Sequence, residues 1–174
     1  MKALLIAGLS LLCSLQTIAQ KQYVVSKDDQ TGATIFKGPI NFDDLSSDPS
    51  FTWYAKGMST YTPDSDAVHY LRKELPAFTV VILMGTWCDD SQLLIPRLSK
   101  VLDLCGFPKN KTILYGVDRA KETGGMESRI YEVKKVPTII LYKGNREVGR
   151  IVESVKRNIE SDLAQMIELD NTHN

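Results

Sequence analysis

The chain has 174 residues, 43% of them hydrophobic, and its 21 basic and 21 acidic side chains cancel at neutral pH. That size and apolar fraction suit one folded domain with its own core. The balanced charge supplies no strong field to draw nucleic acid or an anionic membrane surface, so functions that rest on such a field are set aside.

Met1 and Lys2 lead into an almost wholly apolar stretch, residues 3–15, followed by Gln16, Thr17, Ile18, Ala19 and Gln20. These are the three zones of a secretory signal peptide over residues 1–19, with cleavage expected after Ala19. The apolar part is short for a membrane span. The rival reading, a lipoprotein anchored through Cys13, has bulky Leu12 where such signals take a small residue. Export to a periplasmic or extracellular location is therefore expected, with no membrane attachment after cleavage and with Cys88 and Cys105 as the remaining cysteines.

Residues 20–70 read as an N-terminal extension. Tyr23, Val24 and Val25, a polar turn ending at Gly32, and then Ala33, Thr34, Ile35 and Phe36 predict a β-hairpin that Gly38 and Pro39 terminate. Asn41 is placed to cap a short turn through Leu45. Phe51, Trp53, Tyr54 and Tyr61 follow without a clean period and read as cover over the sheet edge, a substrate groove being the other reading. Pro63, Asp64 and Ser65 open a helix that runs to about Leu75, buries Val68 and Leu71 on one face and stops at Pro76. His69 on this helix reads as a surface side chain.

Thr79, Val80, Val81, Ile82, Leu83 and Met84 show no polar alternation, the mark of a strand buried on both faces. Gly85-Thr86-Trp87-Cys88-Asp89-Asp90-Ser91 comes next, and then Leu93, Leu94, Leu98, Val101 and Leu102 recur at helical spacing. A helix thus begins close to Cys88. The first turn of a helix offers unpaired N–H groups and the positive end of the dipole, surroundings in which a cysteine tends toward its nucleophilic thiolate. Asp89 and Asp90 suit the same dipole but set negative charge beside the sulfur.

Cys88 and Cys105 lie 17 residues apart on this helix, about 25 Å at ~1.5 Å per residue, whereas a disulfide needs Cα atoms within about 7 Å. Cys105, just before Gly106, therefore reads as a small apolar residue near the helix end. A metal set of Cys88, Asp89, Asp90 and Asp118 lacks a second cysteine or a histidine at ligand spacing, so neither a metal nor another cofactor is expected.

Residues 112–118 predict another buried strand with Asp118 at its carboxyl end, the edge where α/β proteins place their sites. Gly124-Gly125 precedes a helix expected over about 126–133. Val136-Pro137 then leads into a strand over 138–142, a turn at Lys143-Gly144-Asn145 and a strand over 147–152, which together form a hairpin. An amphipathic helix carrying Ile159, Leu163, Met166 and Ile167 ends the fold, and residues 170–174 are expected to be a frayed, disordered tail.

Trp87-Cys88 after a buried strand, Pro96 within the following helix, and Val136-Pro137-Thr138 ahead of another strand resemble the thioredoxin superfamily over residues 71–169. The resemblance implies an α/β thioredoxin fold with a mixed central β-sheet flanked by helices on both faces, to which this chain adds an N-terminal β-hairpin. It implies that Cys88 is the nucleophile of thiol–disulfide exchange, facing a cis-proline loop at Pro137. Ser91 stands in the place of the resolving cysteine, as a hydrogen-bonding substitute, and Ile82 where thioredoxins proper carry a buried acid. Trp87, Asp89, Asp90, Val136 and Pro137 form the implied substrate contacts, and protein or small-molecule thiols and disulfides are the implied partners. Without a second sulfur, an external thiol has to release the product. The alternative function is a non-catalytic module that holds a partner peptide in the groove beside Pro137.

Overall fold

The sheet is built outward from β3 (Thr79–Met84), whose residues Val80 to Met84 are all buried. A computed structural model describes residues 22–172; the expected export signal with Cys13, and His173 and Asn174, lie outside the described residues. The other strands are β1 (Val24–Lys27), β2 (Thr34–Ile40), β4 (Thr112–Gly116), β5 (Thr138–Lys143) and β6 (Arg146–Val152). They form one six-stranded sheet in the order β1-β2-β4-β3-β5-β6. Only β3 and β4 run parallel, joined by the long helix α4 (Asp89–Cys105), and the remaining neighbours are antiparallel.

Among the described residues there are five further α-helices: α1 (Phe42–Ser47), α2 (Thr52–Thr60), α3 (Ser65–Glu74), α5 (Glu127–Ile130) and α6 (Ile159–Thr172). Each start has a local cause where the side chains allow one. Asn41 closes a capping box on α1, and the Asp64 carboxylate accepts from the N–H groups of Asp66 and Ala67 at the start of α3. Gly106 ends α4 in the left-handed conformation, with φ of 64°.

The two faces of the sheet are unequal, which departs from the expectation of helices on both. Val80, Ile82 and Met84 join a large core with Leu71, Leu98 and Ile167, to which α2, α3, α4 and α6 all contribute. Their alternates Val81 and Leu83 pack with Ile140 against Val117, Val133 and Val136. The second face is therefore covered by the irregular chain of residues 117–137, in which the only helix is the four-residue α5. The expected longer helix stops there because Glu132 takes a left-handed φ of 52°.

Three other expectations change. β2 does not end at Gly38-Pro39: it pairs with β1 over Thr34–Lys37 and with β4 over Gly38–Ile40, so Pro39 has a strand on one side only and its missing N–H costs the sheet little. The aromatic stretch is a helix, α2, packed on α4 so closely that a Cβ on Gly57 would meet Pro96 Cγ at 2.5 Å. Finally, α6 continues to Thr172, into the expected tail, because the buried Asp170 carboxylate binds Lys143 at 2.8 Å and also Arg146, tying the helix to the β5–β6 hairpin.

Those two cations, Lys143 first, hold the Asp170 carboxyl below the usual carboxylate range. A lowered folded-state value means that ionised Asp170 stabilises the fold fully above its unfolded value of about 3.9, and that this contribution is lost as pH falls toward the folded value. We expect the melting temperature to drop from about pH 5 to about pH 2 and the drop to be shallower in Asp170→Asn. Parallel curves for the two proteins would contradict this assignment.

Candidate active site

The site is assembled where β3 hands over to α4. Thr86 is buried, and its hydroxyl donates to the Thr34 carbonyl at 2.7 Å while accepting from the Phe36 N–H at 3.2 Å, which pins the loop to β2. The Gln92 amide donates to the Thr86 carbonyl at 2.9 Å and clasps the same loop from the first turn of α4. Gly85 allows Trp87 to fold back, since a Cβ there would come within 2.7 Å of the indole. The Trp87 indole N–H donates to the Val117 carbonyl at 3.0 Å, just beyond β4.

Cys88 is the N-cap of α4, half-buried, with no side-chain capping bond. Its thiol donates to the Val136 carbonyl at 3.3 Å, and the Val136–Pro137 peptide bond is cis. Trp87, Cys88 and Val136 thus meet in one apolar cluster with Leu83 and Val117, and Pro137 lies beside it in sequence. Asp89 and Asp90 occupy the first turn of α4 and are exposed.

Ser91 is fully buried, and the bond the structure gives its hydroxyl is accepted from the Gly85 N–H at 3.3 Å. It links the end of β3 to α4 and not to Cys88, because at the third helical position it points inward while the N-cap stays outside the turn. Cys105 is also buried, at the far end of the helix, where burial pushes its thiol up to about 11. Both cysteines are free. Among the described residues, no group of three His, Cys, Asp or Glu side chains is gathered as a metal site.

Two residues that the sequence reading did not select complete the site. The Arg119 guanidinium lies over the Trp87 ring at 4.1 Å and donates through Nη2 to the buried Asp28 carboxylate at 2.6 Å. Its charge acts on both Cys88 and Asp89. Asp28 sits in the β1–β2 turn, and its carboxyl is held well below the usual range, first by Arg119 and then by the Thr31 hydroxyl. Lys121 approaches the same indole at 5.9 Å, and Lys37 of β2 pairs with Asp118 at 2.5 Å. The N-terminal hairpin is therefore part of the site's support. A signal was present in Asp118-Arg119 at the carboxyl end of β4, the same edge as Cys88; Asp28 carried none beyond its fitness for a turn.

Arg119→Met leaves the buried Asp28 carboxylate without its cation and removes the charge over the Trp87 ring. We expect its melting temperature to fall and its Trp87 fluorescence to change. A variant that matches the parent in both would show that the pair does not brace the site.

No protein-family model and no curated protein matches the chain. Among solved structures, a protein of unknown function from Pseudomonas aeruginosa is similar at 13% identity and a TM-score of 0.56, over 78% of this chain and 94% of its own. An HIV epitope-scaffold is 16% identical with a TM-score of 0.49, over 75% of this chain and 83% of its own. The first similarity concerns the α/β fold alone.

Proposed function

We propose that this chain is an exported thioredoxin-like protein that takes part in thiol–disulfide exchange through one nucleophilic cysteine, Cys88. The observation that carries this reading is the juxtaposition of the Cys88 sulfur, at the start of α4, with the Val136 carbonyl ahead of Pro137 at 3.3 Å. The S–H···O bond needs the protonated thiol. When the proton leaves, the Val136 carbonyl is released to accept from a backbone N–H of an extended partner segment laid beside the sulfur.

The Cys88 thiolate then attacks one sulfur of a partner disulfide. A new S–S bond forms to Cys88, the partner's S–S bond breaks, and the second partner sulfur departs as a thiolate that takes up a proton. Ser91 cannot continue the sequence, since a hydroxyl does not displace a thiol from a disulfide, and Cys105 is buried at the other end of α4. Release therefore needs an external thiol that attacks the Cys88 sulfur or its partner. The cation at Arg119 and the apolar wall of Trp87 supply the charge and the contact surface for the partner.

Capture from an oxidised extract under non-reducing conditions tests this reading. Partners bonded to Cys88, freed by dithiothreitol and absent from a Cys88→Ser control, are expected; equal recovery by the control would favour the non-catalytic binding module.

A further inference from the structure

A hollow that the proposed exchange site leaves unused lies at the opposite end of α4, between α1, α2 and the first residues of β4. Ser99 in its wall is 11 residues beyond Cys88, about 16 Å along the helix at ~1.5 Å per residue. The cavity has a volume of about 310 Å³, at the small end of the ~300–1,000 Å³ typical of small-molecule sites. Phe42, Met58, Leu102 and Phe107 supply apolar walls. The Phe42 and Tyr54 rings stack with centroids 6.5 Å apart.

Its polar groups are few and convergent. The buried Tyr54 and Ser99 hydroxyls bond each other at 2.7 Å, and burial pushes the Tyr54 phenol up to about 12, so it stays protonated and neutral. Asp43 and Asp103 both act electrostatically on that phenol. Asp43 is engaged by Lys109 at 3.2 Å, whereas Asp103 makes no ion pair among the described residues. Lys109 faces both carboxylates, pairing with Asp43 and acting electrostatically on Asp103, so two carboxylates stand against one cation at the cavity.

We propose that this cavity binds a small organic ammonium compound, with the Phe42, Tyr54 and Phe107 rings enclosing its apolar body and Asp103 pairing with its charged nitrogen. Aromatic faces attract a cation through their quadrupole, and a carboxylate that has lost part of its hydration gains most from a cation beside it. An anion would meet two carboxylates, Asp43 and Asp103, against the single cation of Lys109. A neutral alcohol of the same size would keep the apolar contact and the hydroxyl pair but forgo both charge effects.

3-Phenylpropylamine, 3-phenylpropanol and 3-phenylpropionate are matched probes for a titration followed by amide NMR at neutral pH. Saturable shifts at Tyr54, Ser99 and Phe107 are expected, with the amine at least about tenfold tighter than the alcohol and the carboxylate weakest. Asp103→Asn, at an exposed position of α4, should weaken the amine several-fold and leave the alcohol's affinity unchanged. The proposal is overturned by equal affinities for the three probes, by an amine affinity untouched in Asp103→Asn, or by the absence of saturable shifts at these residues.

Discussion

In a protein produced from Gln20 onward, Cys88→Ser is expected to abolish reaction of the folded chain with an aromatic disulfide such as dithiobis(nitrobenzoate), while leaving its unfolding free energy within about 1 kcal/mol of the parent. Serine is among the preferred N-caps, and Cys88 makes no capping bond with its own side chain, so the exchange costs α4 nothing and can steady it. What disappears is the sulfur. The remaining thiol, Cys105, is 5% exposed and raised to about 11, so it is both out of reach and protonated at neutral pH. A native-state thiol that still reacts in Cys88→Ser would remove the basis for assigning the chemistry to Cys88. A variant that no longer reacts but holds its partner with undiminished affinity would establish the binding module instead.

Gly116→Val should be the most damaging substitution outside the large core side chains, at about 3 kcal/mol or more in urea unfolding. Gly116 ends β4 opposite Gly38 of β2, and a Cβ there would run into the Phe36 carbonyl. The obstacle is backbone held in a sheet, not the end of a flexible side chain, so β2 has to retreat. Phe36 is fully buried, with its ring 4.4 Å from that of Tyr23 and 4.8 Å from that of Phe51, and its N–H is the donor to Thr86. Retreat of β2 therefore loosens the core and the loop that presents Cys88 together. Hydrogen exchange in β1 and β2 should accelerate, and reaction of Cys88 with disulfides should slow. A Gly116→Val protein as stable as the parent would show that the hairpin is an appendage and not a support of the site.

Much of this arrangement was legible along the chain, and the failures have physical causes. β3 declared itself by an unbroken apolar run, α3 and α4 by periodic leucines and valines behind Asp64 and Cys88, and the β5–β6 hairpin by the turn at Gly144, which takes a φ of 59°. α2 was hidden because Gly57 argues against a helix when read locally; the glycine is there so that α2 can approach Pro96 of α4. Tyr54, Met58 and Tyr61 do fall at helical spacing once the packing is known. The one-sided helical layer could not be read, because the helix expected after Gly124-Gly125 shrinks to the four residues of α5, ended by a left-handed Glu132 that no local signal marks.

The same distinction holds at the site. Trp87, Cys88 and Val136, flanked by Pro137, gather as a short motif and a loop that each carry a local signature. The Asp28–Arg119 pair joins residues 91 apart, each of which passes for an ordinary polar residue of a turn. Long-range ion pairs of this kind leave no period or spacing to detect.

The most direct measurement is the intact mass and peptide map of the chain from Gln20 onward after treatment with excess cystamine and its removal. One adduct per chain is expected, located on Cys88, that persists until an external thiol is added and then leaves completely. An adduct that departs unaided, a bond between Cys88 and Cys105, or a Cys88 that stays unmodified would contradict it.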